Sequence, residues 1–417
     1  MTRQSQSPPD PTRVVVSSVV RGASLAEPSG FVRIVDLDRA SVIACAAVPE
    51  ARHLADDPNP RGGLRGGRGV SSHKDTLVVA SNDTLFVLDP SWRLRRELSH
   101  PLAGGIHDVH ADEDGIWVSS TASSMVLKFS WDGDVSARWH WTEDRALVGA
   151  LGFSPHAVPE LDPQRDYRVP APGSGAHDVV HLNAVWRDGD RLLVNLGQVL
   201  TPAALRREQW RGLAARLGTR VPLVRRGVAF SRAARQHSRA RHVGPAAPRK
   251  PGRHAIVSLK LEHGQIARGT PAELIWLADG ASTPKHNLMP SGPDTLWFID
   301  SEHGCLVEAD TARGVRRREI AIPGAPPFAR GLLRLSAHEA LVGSQRPAAL
   351  YRVNLDDGSL RQSVDLAGEP SETVYAITAV PASFERDPAG LAKLASLHQV
   401  GTEKAWTSQA SGDTSRL

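Results

Sequence analysis

His286-Asn-Leu-Met-Pro290, Thr295-Leu-Trp-Phe-Ile-Asp300, Cys305-Leu-Val-Glu-Ala-Asp310 and Val315–Ile322 follow one another across short polar gaps, and each gap contains a glycine: Gly292, Gly304 or Gly314. Short segments rich in branched and aromatic residues, bounded by turn residues, read as strands. Four in succession make a small antiparallel sheet that cannot bury both of its faces alone. The same text recurs on either side. Upstream lie Asp75–Ser81, Thr84–Asp89 and Trp92–Leu98, then His107–Asp112, Gly115–Ser120, Met125–Ser130 and Val135–Trp141. A third copy starts at His181–Trp186 and Arg191–Leu196 and resumes at Ala255–Leu261; downstream come Arg330–Leu335, Glu339–Ser344, Ala349–Leu355 and Leu360–Leu366. Turn signals such as Glu113-Asp-Gly115, Asp188-Gly-Asp190 and Asp356-Asp-Gly358 punctuate the copies.

Strand groups repeating about every 40–50 residues predict an all-β chain folded as a β-propeller, whose blades cover one another by stacking around an axis. A last blade combines Val374–Val380 with N-terminal strands near Phe31–Val35 and Ser41–Ala46, joining the chain ends and removing open edges. The count is six blades, with seven as the alternative. The resulting division is a flexible segment 1–29, a propeller over 30–390 and a polar tail over 391–417. Two insertions, 142–175 and 198–253, interrupt the propeller. Pro155, Pro159, Pro163, Pro170 and Pro172 exclude a long helix from the first, and loops of this length are lids or disordered.

Of 417 residues, 41% are hydrophobic and 23% charged, which describes a globular chain and excludes collagen-like, disulfide-rich and wholly disordered classes. No stretch approaches the roughly 18 apolar residues of a membrane span, and Val14-Val15-Val16 is too short for the core of a signal peptide. Two cysteines, Cys45 and Cys305, sit in strand-like text and read as buried thiols of a cytoplasmic protein.

The formal charge of +5 conceals an asymmetry. Residues 198–253 hold fourteen basic residues against Glu208 alone, a charge of +13 that leaves −8 on the rest. Ala203–Leu217 reads as a helix with Trp210, Leu213 and Leu217 at i, i+3 and i+7; Ser231–Pro251 has no period and reads as a loop. The insertion is either a solvated excursion or a surface for a protein partner. Without aromatic residues in its second half it makes a poor nucleic-acid platform.

In a propeller the first strand of each blade lines the axis. His107, His181, His286 and Arg330 fall near the start of that strand in four blades, at nearly constant distance from the second-strand residues Ile116, Leu192, Leu296 and Ala340. They are candidate catalytic residues. Asn183, Asn287, Arg68 and Tyr375, with Arg330, are candidate contacts to an anionic small-molecule substrate. His107, His181, His286 and Asp108 could instead hold a divalent metal such as Zn, Mn, Fe or Ca, because neutral imidazoles and carboxylates are suitable donors. Asp178 could orient a ring nitrogen. The plainer alternative is that these side chains satisfy inner-strand backbone groups and waters. His177-Asp-Val-Val-His181 has the spacing of a helical zinc motif but lies in Gly-rich and β-branched text, which argues against that motif; the pair can still contribute to the ring, with His181 the better candidate and His177 at the loop entry. Glu302, His303 and Glu372 could supply acid–base groups, though no spacing selects them. No serine-hydrolase elbow, phosphate loop or Cys-x-x-Cys pair is present, and Arg61–Gly69 reads as a flexible loop.

His181-Leu-Asn-Ala-Val185, Pro284-Lys-His-Asn-Leu-Met-Pro290, Phe328-Ala-Arg-Gly-Leu332 and Ala340–Pro347 together resemble an uncharacterised bacterial propeller family with H-x-N-G, M-P-H-S-P-R and R-G-L elements. The resemblance spans about residues 176–380 without the basic insertion, and departs at Ala184 and in the order of Pro284 and His286. More distantly the blades are similar to gluconolactonase and strictosidine-synthase-like propellers. The resemblance implies six blades and brings no reaction. The function expected is a small-molecule enzyme, a metal-assisted hydrolase, lyase or isomerase acting on an anion; the alternative is a non-catalytic binding or assembly scaffold.

Overall fold

The structure, a computed structural model, describes residues 12–23, 27–49, 53, 65–169, 178–220, 252–281, 283–324, 328–366 and 368–391. Within them the chain runs through β1 (Arg13–Val20), β2 (Phe31–Asp36) and β3 (Ser41–Ala47), and then β4 (Gly69–His73), β5 (Thr76–Ala80), β6 (Leu85–Leu88) and β7 (Leu94–Leu98). The third group is β8 (Ile106–Asp112), β9 (Gly115–Ser120), β10 (Met125–Phe129) and β11 (Val135–His140). A short helix, α1 (Arg145–Ala150), precedes β12 (Leu182–Asp188) and β13 (Arg191–Leu200), and α2 (Pro202–Arg220) precedes β14 (Gly252–Glu262), β15 (Gln265–Ile266) and β16 (Glu273–Asp279). The last groups are β17 (His286–Gly292), β18 (Thr295–Asp300), β19 (Cys305–Asp310) and β20 (Val315–Ala321), then β21 (Ala329–Arg334), β22 (Glu339–Ser344), β23 (Ala349–Asn354) and β24 (Leu360–Asp365), and finally β25 (Glu372–Ala379).

These strands form six antiparallel sheets, and the chain is a six-bladed β-propeller. In the blade that closes the ring, β25 pairs with β1, ahead of β2 and β3, so both ends of the chain share one sheet. In the fourth blade β15 and β16 both pair with β14. The inner strands β4, β8, β12, β17, β21 and β25 touch in that order and back to β4.

The buried apolar residues divide into six clusters, one at each interface between neighbouring blades. Trp117 and Val126, for example, pack on Leu182, Val194 and Val257 of the next blade. Because every blade is covered on both faces, its middle strands are apolar throughout rather than alternating. Trp117 and Trp297 lie in these interfaces, and Trp186, half-buried, packs against another of them with the His110 ring 5.1 Å away.

Four expectations need correction. The propeller begins at Arg13 rather than 30: Val14, Val15, Val16 and Val19 are buried, and β1 occupies a position between two other strands where a continuous apolar run is what the packing requires. The first insertion is packed rather than loose over residues 141–169. Leu147, Val148, Leu151 and Phe153 enter the core of the fourth blade, and Asp144 caps α1 at Leu147 N (3.0 Å) while accepting from Ala272 N (2.6 Å). In α2 two residues of the anticipated apolar stripe face solvent, with Trp210 71% and Leu213 48% exposed, and the buried residues are Ala204 and Leu205. Of the two free thiols, Cys305 is buried and pushed up to about 12 by burial, but Cys45 is exposed on an outer strand. His177, residues 221–251 and the polar tail beyond 391 lie outside the described residues.

Candidate functional site

Five of the six inner strands carry a β-bulge near their beginning. The pairing skips His107 in β8, Asn183 in β12, Asn287 with Leu288 in β17, Gly331 in β21 and Tyr375 in β25. A bulge inserts one residue that the ladder does not hold and re-aims its side chain. Four of the skipped residues, His107, Asn183, Asn287 and Tyr375, are among those that the sequence placed at the axis, whereas His286 and Arg330 are paired in the ladder and His181 stands just before β12. Left-handed backbone accompanies them at His181 (φ +26°), Asn287 (φ +54°) and Gly331 (φ +82°), a conformation unusual for residues with a Cβ and one that clusters at binding sites.

The structure brings the three histidines together. The rings of His107 and His181 are 4.9 Å apart, edge to face, and those of His107 and His286 are 6.5 Å apart and stacked. Tyr375 lies 6.0 Å from His107, with the Arg330 guanidinium 3.7 Å and that of Arg68 5.1 Å from its ring centre. Arg68 Nη1 also donates to Tyr375 Oη at 2.8 Å.

The hydrogen bonds fix the tautomer of each imidazole. His107 Nδ1 lies 2.8 Å from Gly105 O, which can only accept, so Nδ1 carries the proton. His286 Nδ1 lies 2.7 Å from Ser301 Oγ; that hydroxyl gives its single proton to Ala329 O (2.8 Å) and must accept from the ring. His181 Nδ1 lies 2.7 Å from the Asp178 carboxylate and donates to it. In the neutral form of each ring Nε2 is therefore the lone-pair nitrogen, and it has no hydrogen-bond partner among the described residues. His254 is the contrast: its Nδ1 accepts from Trp276 (3.1 Å) and its Nε2 donates to Asn195 (2.9 Å), so the ring is saturated and purely structural.

The electrostatics follow from burial. His107 is held well below the usual histidine range first by desolvation and then by His181, Arg68 and Arg330; His286 likewise by desolvation and then Arg330. Arg330, 4% exposed, has no carboxylate within salt-bridge distance among the described residues, and desolvation lowers it to about 9. Asp108 is raised to about 7 by desolvation, against the N–H groups of Val109 and Val185 and the charge of Arg330. A carboxyl that keeps its proton longer in the folded state makes stability fall as pH rises from its unfolded value near 4 through 7. Asp108→Asn removes that slope. Its stability relative to the parent rises by up to about 3 kcal/mol between pH 5 and pH 8. Urea titrations at the two pH values check this; a pH-independent difference contradicts it.

Other candidates have structural work. Asn183 Nδ2 donates to Lys285 O (2.7 Å) and Asn287 Oδ1 accepts from Gly331 N (2.9 Å), so each stitches its blade to the next. Gly197 allows the first of these contacts, since a Cβ there would sit 2.3 Å from both Asn183 Nδ2 and Lys285 O. Glu372 is buried against Arg33. Glu302 and His303 stand with Asp300 beside Lys285, whose Nζ is 2.6 Å from Asp300. Those three residues are the one group of at least three His, Cys, Asp or Glu donors among the described residues whose ligating atoms all lie within 4.8 Å of one another; the channel histidines do not form such a group. Ser301 and Thr121, which back His286 and His107, were not singled out in the sequence. Both directly follow the second strand of their blades, and an alignment of blades on that position would have found them.

No protein-family model matches the chain, and no curated protein matches it in sequence. Solved structures share its fold. A Bacteroides caccae protein of unknown function is 10% identical, covering 88% of this chain and 98% of its own with a TM-score of 0.44. A chain of the nidogen–laminin complex is 8% identical, with 88% and 98% covered and a TM-score of 0.47. An inactive virginiamycin B lyase from Staphylococcus aureus is 8% identical, with 78% and 75% covered and a TM-score of 0.39. Likeness at this level does not carry a site or a reaction from one chain to another. Among the described residues, no helix is long and apolar enough to cross a membrane.

Proposed function

We propose that the start of the inner strands forms a binding and proton-transfer site for a small anion, and that the protein is a lyase, isomerase or hydrolase acting on it. The observation carrying this reading is the pairing of three imidazoles, whose Nε2 atoms have no hydrogen-bond partner among the described residues, with a buried arginine that has no carboxylate within salt-bridge distance among them. Arg330, its guanidinium 3.7 Å from the Tyr375 ring centre, offers its N–H groups to an anion in a low-dielectric setting, where such contacts are strongest. His181 is the base: its Nε2 takes a proton from the substrate while Asp178 holds the ring and stabilises the imidazolium that forms. Asp108, titrating near neutrality, can return the proton. A divalent cation has less support, because the three donors are spread beyond 4.8 Å and buried guanidiniums stand beside them.

The test is an incubation of wild-type and His181→Ala protein with a panel of anionic metabolites, read by mass spectrometry. Turnover of an anion that slows by about 10²- to 10⁴-fold in the variant supports the reading. Equal turnover in both proteins, or conversion confined to uncharged compounds, overturns it. A second reading, favoured by exposed Trp210 and Leu213 beside Arg206 and Arg207 on α2, makes that helix a docking surface for an acidic protein.

A further inference from the structure

We infer that the ligand of this site is a carboxylate bearing hydroxyl donors on the adjoining carbons, and that phosphate esters are disfavoured. The inference rests on the anion-site reading above and comes from the polarity of the surrounding groups. Arg330 supplies donors in one plane, and a carboxylate, with two oxygens in one plane, matches that fork completely. On the side of the three histidines the site changes sign, while Arg68 keeps its Nη1 donor on Tyr375 Oη. Gly105, Asp178 and Ser301 each take an Nδ1 proton, so the three Nε2 atoms can only accept as long as the rings are neutral. His107 and His286 are kept neutral by burial and by the nearby guanidiniums.

A phosphate dianion seated on Arg330 would turn its remaining oxygens toward these lone pairs, acceptor against acceptor. A plain alkyl carboxylate would satisfy Arg330 but cover the three nitrogens with hydrocarbon, leaving desolvated acceptors unpaired. That loss is on the order of 1–3 kcal/mol for each buried group, or roughly 5- to 150-fold in affinity. Hydroxyl groups beside the carboxylate donate into the lone pairs and meet both requirements.

The test compares glycerate, propionate and inorganic phosphate as probes by titration calorimetry on the full chain, with Arg330→Met and Ser301→Ala in parallel. Glycerate binding at least about tenfold tighter than either propionate or phosphate supports the inference. Ser301→Ala frees His286 to change tautomer, so the ratio of glycerate to propionate affinity should shrink there, a change in selectivity that simple loosening of the blade does not produce. Equal affinity for glycerate and propionate, or tightest binding of phosphate, with all binding lost in Arg330→Met, overturns this inference and leaves the anion site standing. Absence of binding for all three probes at millimolar concentration overturns the anion-site reading itself.

Discussion

Arg330→Met is expected to unfold at higher denaturant concentration than the parent protein and, at the same time, to lose affinity for small anions by about a hundredfold or more. The two effects have one cause. Arg330 is 4% exposed, with its guanidinium 3.7 Å from the Tyr375 ring centre and no carboxylate within salt-bridge distance among the described residues; Asp108 offsets its charge only from further away. Burying a cation in that way carries an uncompensated desolvation penalty of several kcal/mol. Methionine has a similar reach, packs against the same ring and carries no charge, so the substitution should return about 1–4 kcal/mol of stability. A residue placed for folding alone would show the opposite sign. Urea unfolding and calorimetric titration of the same samples check the pair of outcomes; a destabilised variant that binds anions unchanged contradicts them.

Glu372→Gln should lower stability by about 3–5 kcal/mol. Glu372 opens β25 and is completely buried, where it accepts from Arg33 Nη2 at 3.0 Å, with Arg33 Nη1 and Ser18 Oγ close to its other oxygen. Those three residues belong to β25, β2 and β1, the sheet that closes the ring from both ends of the chain. A glutamine places an amide N–H against the guanidinium and leaves a buried charge unpaired, so the loss falls on global unfolding rather than on a local loop. The paired substitution Arg33→Met with Glu372→Met removes both charges and should restore most of the stability, since well-packed apolar residues usually replace a buried ion pair without loss. A single substitution that changes stability by less than about 1 kcal/mol would contradict this account.

The architecture was legible because blade text is redundant. Four strands with glycine turns recur often enough that one interrupted copy, the fourth blade with its basic insertion, could still be recognised from its neighbours. The first strand escaped notice because only one of its partners, β2, follows it in the sequence, while the other, Glu372–Ala379, lies at the far end of the propeller. The counting of positions before the second strand located His107, His181, His286 and Arg330, since a propeller translates equal positions in the repeat into equal depths along the axis. Counting could not reveal the bulges, because an extra residue in a strand leaves no compositional mark. Nor could it separate Asn183 and Asn287, which hold blades together, from the histidines beside them. The same limit applies to α2, where helical spacing placed Trp210 on an apolar face but did not show whether that face meets the protein or solvent.

The most direct measurement is the tautomeric state of the histidine rings, read by nitrogen NMR on protein labelled at its imidazoles, with and without glycerate. His107, His181 and His286 should carry the proton on Nδ1 near neutral pH, with His254 as an internal standard of the opposite tautomer. Addition of glycerate should shift the Nε2 signals of the three channel rings and leave that of His254 in place. Channel rings that are protonated on Nε2, or that ignore every added anion, would contradict the account at its centre.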